Sequence, residues 1–422
     1  MKYIILFNGG IETQEYFSLQ LAKEWEKMGY EIYWYNMALG RESTRFLREF
    51  LDAHKADEIV AFTFNHNGIA GEEGLYLEQK LAKPSYADWD DSWNLWDEYG
   101  IKVVNMVVDH PLYYHGFLNI HPKDYVHISI DKDHDDYIHR FFKDITKTAF
   151  IPLGGTSLKD AEKIDMAGDY LSLDKRPIDI IFTGNYTPKN ILSRNLSKMD
   201  PEYVEFYENM VERILDNPEL TVTSVAETAI REELGDIAED DMKMCMTNLS
   251  YVDLCVRFYF RRMAIKLLTD AGLKVYMVGD GAEYMGLQKP DNLESSGMMD
   301  SRGCLELISQ SKLSLNVMPW FKRGAHDRIF NSMLNGAVSL SDSSEYLDEV
   351  FRDGEDWIRY DLAELRSYDK GLIAADDTKL VRDVKTLLKD QQKIEEIGHR
   401  AYKKCDMSHS WRSRAKEIAK LF

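Results

Sequence analysis

The chain has 422 residues, and 52 Lys+Arg against 72 Asp+Glu give a formal net charge of −20. That length accommodates two or three domains, and a 44% hydrophobic content with 24 Tyr and 8 Trp is far too core-rich for a disordered chain. The acidic balance argues against nucleic acid and anionic lipid as partners, while a small anion can still be held by a local basic patch.

Cys245, Cys255, Cys304 and Cys405 form neither a CxxC pair nor a disulfide framework, as in a reducing compartment. No apolar run reaches the roughly 18 residues that span a bilayer, and Tyr3–Phe7 is too short for a secretory signal. The expectation is a soluble cytoplasmic protein without membrane insertion.

In chain order, Tyr3–Phe7 reads as a strand buried on both faces, and Asn8-Gly9-Gly10 turns it into a helix striped by Phe17, Leu21, Trp25 and Met28. Gly29 stops that helix, and Glu31–Tyr35 is the next strand. A helix marked by Phe46, Leu47, Phe50 and Leu51 and a strand at Ile59–Phe64 repeat the cycle, with further strands at Ile101–Val108 and Tyr125–Ile130. Gly154-Gly155-Thr156-Ser157 breaks any element, so a boundary falls between residues 152 and 176. A second cycle follows, with strands at Ile178–Thr183, Leu273–Val278, Leu313–Val317 and Ala337–Leu340, and a helical insertion over residues 189–271. The last 45 residues read as two or three helices. Alternating strands and helices predict an α/β protein of two Rossmann-like parallel-sheet halves, which bind ligands in a cleft beyond the carboxyl ends of their strands.

Several constellations carry chemistry. Gly9 and Gly10 stand where backbone amides can approach a phosphate or sugar, although a tight strand–helix turn needs glycine as well. Gly279-Asp280-Gly281 is equally ambiguous, and no P-loop Lys-Ser/Thr follows either pair. The run Asp131–Asp136 contains an Asp-x-Asp triplet, a metal–nucleotide signature. As an EF-hand it fails, with Asp136 at the sixth position and Phe142 at the twelfth. Its plain role is a solvated helix start, and no metal is expected. Asp109 and His110 end a buried strand, placed for general-base work or for a hydrogen-bonded turn fixed by Pro111. His110 and His115 lack the further ligands zinc requires. Trp89, Trp93 and Trp96 share one helical face, better suited to packing than to stacking a sugar.

The sharpest stretch runs from Pro319 to Arg328. Lys322, Arg323, His326 and Arg328 gather at the start of a helix whose apolar face is Ile329, Phe330, Met333 and Leu334, and Asp327 can cap it. Cations at a helix N-terminus in an acidic protein point to an anion such as a diphosphate. The next strand delivers Ser341-Asp342-Ser343-Ser344 to the same edge.

Arg328-Ile329-Phe330-Asn331-Ser332-Met333-Leu334-Asn335-Gly336-Ala337-Val338, followed by Asp342, resembles the donor-binding segment of GT-B glycosyltransferases, and within them the CgeB-like (spore maturation protein-like) bacterial group. Arg176-Pro177 before Ile181–Tyr186, Val278–Gly281, Gly354-Glu355-Asp356 before Tyr360, and the ending His409-Ser410-Trp411-Arg412-Ser413-Arg414-Ala415 match in the same order. The resemblance covers residues 176–422 well and the first half in general architecture. It implies an acceptor-side domain (1–160), a nucleotide-sugar donor domain (176–390) and C-terminal helices (391–422) that pack back toward the first domain. The group has Glu where this chain has Asn331, typically holding the donor ribose, and often a second Glu where this chain has Arg323.

The resemblance implies a glycosyltransferase using a nucleoside diphosphate sugar, with no cofactor or metal and with a glycan or protein acceptor. Lys322, Arg323, His326, Asp327, Arg328 and Asn331 are the expected diphosphate and ribose site. Gly9, Gly10, Gly184, Asn185, Tyr186, Gly279, Asp280 and Ser341 are further donor contacts, and Asp109 or His110 is the base if the reaction inverts the anomeric centre. A GT-B nucleotide-sugar epimerase and a catalytically degenerate sugar-nucleotide-binding module are the alternatives.

Overall fold

The structure, a computed structural model, describes residues 1–69, 75, 94–158, 172–194, 199–247 and 249–422. The chain divides into two compact units, one of residues 1–153 with 411–422 and one of residues 154–410.

The first unit is built on β1 (Lys2–Asn8), β2 (Glu31–Asn36), β3 (Glu58–Phe64), β4 (Lys102–Val107), β5 (Tyr125–Ser129) and β6 (Thr148–Phe150), all parallel, in the order β2-β1-β3-β4-β5-β6. Helices cover a parallel sheet on both faces, so its inner strands are apolar throughout. Ile4, Ile5 and Leu6 are 0% exposed accordingly. Helix Glu12–Lys27 buries Phe17, Leu21 and Trp25. The Trp25 indole packs against Phe62 and Phe422 and donates from Nε1 to the Ala415 carbonyl at 3.0 Å. Phe17 meets Trp411 at 4.7 Å. Helix Trp411–Ile418 thus completes the core of the first unit.

Trp96 is buried and donates to the Gly68 carbonyl, while Trp89 and Trp93 lie outside the described residues. The acidic run opens helix Lys132–Phe141, and its first residue is not solvated as expected. Asp131 is 0% exposed and caps the helix by accepting from the Asp133 amide at 2.7 Å.

The second unit carries β7 (Ile178–Thr183), β8 (Val275–Val278), β9 (Leu293–Gly297), β10 (Ser311–Leu315), β11 (Val338–Ser341) and β12 (Ile358–Arg359), again parallel, in the order β12-β11-β10-β7-β8-β9. Between β7 and β8 come helices Lys189–Leu192, Pro201–Asp216, Val222–Leu234, Glu239–Cys245 and Ser250–Asp270. The last of these is buried on most of its surface, from Val252 to Leu268. Among the described residues no helix is long and apolar enough to cross a membrane.

One boundary differs from expectation. Helix Gln391–Ser408, assigned from the resemblance to the returning segment, belongs to the second unit, and only residues 411–422 join the first. The reason is its apolar face of Ile394, Ile397, Ala401 and Cys405, which is buried, with Cys405 Sγ 3.3 Å from Met333 Sδ. The ends of the second unit lie together, where the Gly155 amide donates to the His409 carbonyl at 2.8 Å and Gly155 bridges Ser410 in parallel.

Trp25→Ala should cost roughly 3–5 kcal/mol in urea unfolding, as expected for truncating a buried aromatic side chain, and should expose residues 411–422 to proteolysis. A loss below about 1 kcal/mol would show that the C-terminal segment does not depend on this contact.

Candidate functional site

In the second sheet β8 and β9 lie on one side of β7, and β10, β11 and β12 on the other. The strand order therefore reverses between β7 and β10, and ligands of such sheets bind beyond the carboxyl ends of the strands at that point. Two loops interlock there. The Gly184 amide donates to the Val278 carbonyl and the Tyr186 amide to the Asp280 carbonyl, both at 2.8 Å, while Asn185 Oδ1 accepts from the Asp280 amide at 3.0 Å. The approach requires glycine. A Cβ on Gly279 (φ +140°) would stand 2.4 Å from the Gly184 oxygen, and one on Gly281 (φ +96°) 2.0 Å from the Tyr186 oxygen.

Helix Ser250–Asp270 brings Arg257 and Arg261, one turn apart, to this edge. Arg261 is 5% exposed and donates from Nη1 to the Asn185 carbonyl at 2.9 Å, while its Nε is buried without a hydrogen-bond partner among the described residues. Arg328, the second residue of helix Asp327–Leu334, has a buried Nη1 in the same condition, and its Cζ would lie 3.5 Å from a Cβ on Gly184. Arg257 pairs with buried Asp253 at 2.7 Å. The Trp320 ring lies 4.0 Å from the Arg257 guanidinium carbon and 5.4 Å from that of Arg261.

Burial drives the Arg261 guanidinium well below its ordinary pKa, and Arg328 and Arg257 push it further. Arg328 falls to about 10, chiefly through burial, with Asp327 opposing the fall and Arg257 adding to it. Buried donors left unsatisfied carry a desolvation cost, and an anion between Arg261 and Arg328 would remove it.

The structure distributes the residues singled out in the sequence. His326, not Asp327, occupies the cap position of helix Asp327–Leu334. Its Nδ1 accepts from the Arg328 amide at 3.2 Å and lies 2.7 Å from Asp327 Oδ1. Burial and Arg328 bring this imidazole down to about 4, so it is neutral at pH 7. Asp327 is raised by burial, but His326 and Arg328 more than offset that and leave it below the ordinary carboxylate value.

The Asn331 amide, expected to hold ribose, is engaged at both ends. It donates to Asp327 Oδ2 at 2.9 Å and accepts from the Thr156 amide at 2.8 Å. With Asn335, which accepts from Leu158 N and donates to Thr156 O, it fastens residues 156–158 to the helix. Lys322 donates to the Pro218 carbonyl, and Arg323 faces Glu345 at 3.5 Å. Ser341 is buried and accepts from Asn316. Arg257 and Arg261 were not expected from the sequence. The signal lay in the spacing Asp253-x-x-x-Arg257-x-x-x-Arg261 within a largely apolar helix.

In the first unit the strand order reverses between β1 and β3. Gly9 and Gly10 follow β1 there, with the Gly9 amide donating to Glu15 Oε2 at 3.0 Å. After β3, Asn65 and His66 both have positive φ (+47° and +64°), a region in which Asn and His are enriched among non-glycine residues. Asn65 accepts from the Val108 amide at 2.8 Å and donates to Asp109 Oδ2 at 3.1 Å; the same oxygen accepts from the Tyr114 hydroxyl at 3.0 Å. His110 is buried, edge-on to His134, and its Nδ1 accepts from the Leu112 amide. Of the two base candidates, Asp109 is held at the sheet edge through one oxygen, Oδ2, by Asn65 and Tyr114.

The loop carrying Trp320 and Lys322 is pinned by the residues after β11. Asp342 Oδ1 accepts from the Met318 amide at 2.8 Å, Ser344 donates to the Gly324 carbonyl at 2.6 Å, and the Glu345 amide donates to the Lys322 carbonyl at 2.9 Å. Burial lifts Asp342 from 3.8 to about 6. Because the folded pKa is raised, its stabilising contribution is full below pH 3.8 and is lost as pH rises through about 6. Asp342→Asn keeps an oxygen for Met318 and removes the charge. Urea melts should show the variant gaining on the wild type between pH 4.5 and 7, by up to roughly 3 kcal/mol, and equal to it in acid.

Residues 259–420 match a family model described as Glycosyl transferase-like. No curated protein matches the sequence. Among solved structures, a sucrose-phosphate synthase from Thermosynechococcus elongatus is 10% identical at a TM-score of 0.51, with 100% of this chain and 98% of that one covered. HepE from Anabaena, solved with UDP and glucose, is 12% identical with a TM-score of 0.49 and coverage of 100% and 98%. A glycosyltransferase from Rickettsia africae is 8% identical with a TM-score of 0.49 and coverage of 100% and 97%. At such identities the likeness is one of fold. The two parallel six-stranded sheets have the architecture of GT-B glycosyltransferases, with the glycosyl transferase-like sequence pattern over residues 259–420.

Proposed function

We propose that the protein is a glycosyltransferase that moves a sugar from a nucleoside diphosphate sugar to an acceptor nucleophile on a glycan or protein. We place it in the CgeB-like group, whose donor segment residues 328–338 resemble. The observation that carries the reading is the pair of buried guanidinium nitrogens, Arg261 Nε and Arg328 Nη1, without a partner among the described residues of a chain of net charge −20. Breaking the bond between sugar and diphosphate builds negative charge on the leaving group, and preorganised donors in a water-poor site stabilise that charge most effectively. Guanidinium suits the task because its planar fork meets phosphate oxygens bidentately and stays protonated. In this reading Arg257, Arg261 and Arg328 carry the charge of the diphosphate without a divalent metal. The interlocked loops Gly184–Tyr186 and Gly279–Gly281 line the same edge and approach the donor through backbone.

In an inverting transfer Asp109 takes the proton of the acceptor hydroxyl. Asn65 and Tyr114 bind one carboxylate oxygen, which fixes the group and leaves Oδ1 for the incoming hydroxyl. His110 is less suited, since its ring is packed and its Nδ1 serves the following turn.

Calorimetric titration with UDP, GDP and ADP tests the donor site. Arg261→Ala and Arg328→Ala should each weaken the tightest of these about 10–100-fold, the value of a charge-assisted hydrogen bond. Affinity for the free nucleoside should hold, and binding should survive EDTA. Unchanged diphosphate affinity in both folded variants would remove the reading. Asp109→Asn should lower nucleoside diphosphate release from the sugar nucleotide by about 100-fold or more, the usual contribution of a general base, with donor affinity preserved.

A further inference from the structure

We propose that Trp320 is the positioning residue of the diphosphate site, whose indole holds Arg257 and Arg261 as a preformed pair before any anion arrives; this rests on the donor-site reading above. Two guanidinium groups one helical turn apart repel each other, and long arginine side chains escape repulsion by splaying into water. Each has a tether of its own, Asp253 for Arg257 and the Asn185 carbonyl for Arg261. The indole faces both, 4.0 Å from the Arg257 guanidinium carbon and 5.4 Å from that of Arg261, which also lies 5.4 Å from the Phe258 ring. An indole π system attracts cations more strongly than other aromatic side chains, so it can keep both in place without neutralising the charge that a phosphate must meet. A carboxylate in the same position would hold the arginines and repel the ligand.

Trp320 is itself fixed. Its ring meets Phe321 at 5.5 Å and the edge of His326 at 5.9 Å, in a loop fastened through the Met318 amide and the Gly324 carbonyl. The loop follows β10, whereas the arginines stand on the helix that precedes β8, so the indole joins the two sides of the strand-order reversal. Two guanidinium groups at a set spacing favour a ligand with two linked phosphates over one with a single phosphate. A ring that merely fills space would be replaceable by leucine.

The test titrates wild type, Trp320→Leu, Trp320→Tyr and Arg261→Ala with inorganic pyrophosphate and with orthophosphate, after thermal melts confirm folding. Trp320→Leu should lose about tenfold or more in pyrophosphate affinity and change less than about threefold toward orthophosphate, while Trp320→Tyr stays within about threefold of wild type for both. Pyrophosphate affinity retained in Trp320→Leu, an equal loss toward both anions, or a tyrosine variant no better than leucine would each overturn the assignment. Arg261→Ala separates the two levels. If it loses pyrophosphate and Trp320→Leu does not, only the role of Trp320 falls. If wild type does not bind pyrophosphate, or Arg261→Ala binds it unchanged, the donor site falls and the role of Trp320 with it.

Discussion

Positive charge held out of water is the constraint around which the second unit is organised. Arg261 is almost wholly buried, Arg328 has a buried orphan nitrogen, and Arg257 completes the group. Arg257 depresses the pKa of both Arg261 and Arg328, and Arg328 that of Arg261, so the protein spends folding energy to keep them together. That cost explains otherwise unrelated features. Asp253 is buried beneath Arg257, Asp327 lies beside Arg328, and the Asn185 carbonyl turns toward Arg261. A chain of net charge −20 could have neutralised these groups with further acids. Among the described residues, part of the hydrogen-bonding capacity of Arg261 and Arg328 is unmet, as the proposed anion site requires.

Sheet topology makes the concentration feasible. Parallel strands deliver all their carboxyl ends to one edge, and reversal of the strand order leaves a gap between the loops after β7 and β10. Glycine narrows that gap on one side, since Gly279 and Gly281 let two loops touch through backbone. The first unit uses another device at its own carboxyl edge. His66 donates its amide to Asn105, Asn105 donates to the Tyr125 hydroxyl, and that hydroxyl meets His127, all buried. The chain of polar contacts supports the positive-φ pair Asn65–His66, from which Asp109 is oriented.

Much of this was legible in the sequence because burial leaves a strong mark on parallel strands. β1 (Tyr3–Phe7) and the inner parts of β3 and β7 (Ile180–Phe182) are continuous apolar runs and stood out as such. β6, β9 and β12 did not. They are edge strands, and β9, Leu-Glu-Ser-Ser-Gly, is largely solvated, so its hydrogen bonds to β8 leave no apolar signature. For the candidate site, clustering along the chain was the available signal, and it pointed to Lys322, Arg323, His326 and Arg328. Of these, Lys322 engages the Pro218 carbonyl and Arg323 faces Glu345. It did not point to Arg257 and Arg261, which lie far from this cluster in sequence, on the helix Ser250–Asp270 that precedes β8. Asn331 shows the same limit, since a single residue name cannot say which backbone will occupy its amide.

The joined ends of the second unit bear on the order in which the molecule is made. Residues 154–410 form an insertion whose two strands of entry and exit are hydrogen-bonded to each other at Gly155 and His409. During synthesis that insertion emerges in full before Trp411. The first unit, although it starts the chain, still lacks the helix that fills the space around Phe17 and Trp25. Its core remains open until residues 411–422 have been made, so this unit is the second to finish. Nascent chains halted before residue 411 would carry a closed second unit beside a first unit with exposed aromatic surface, the species on which chaperones act.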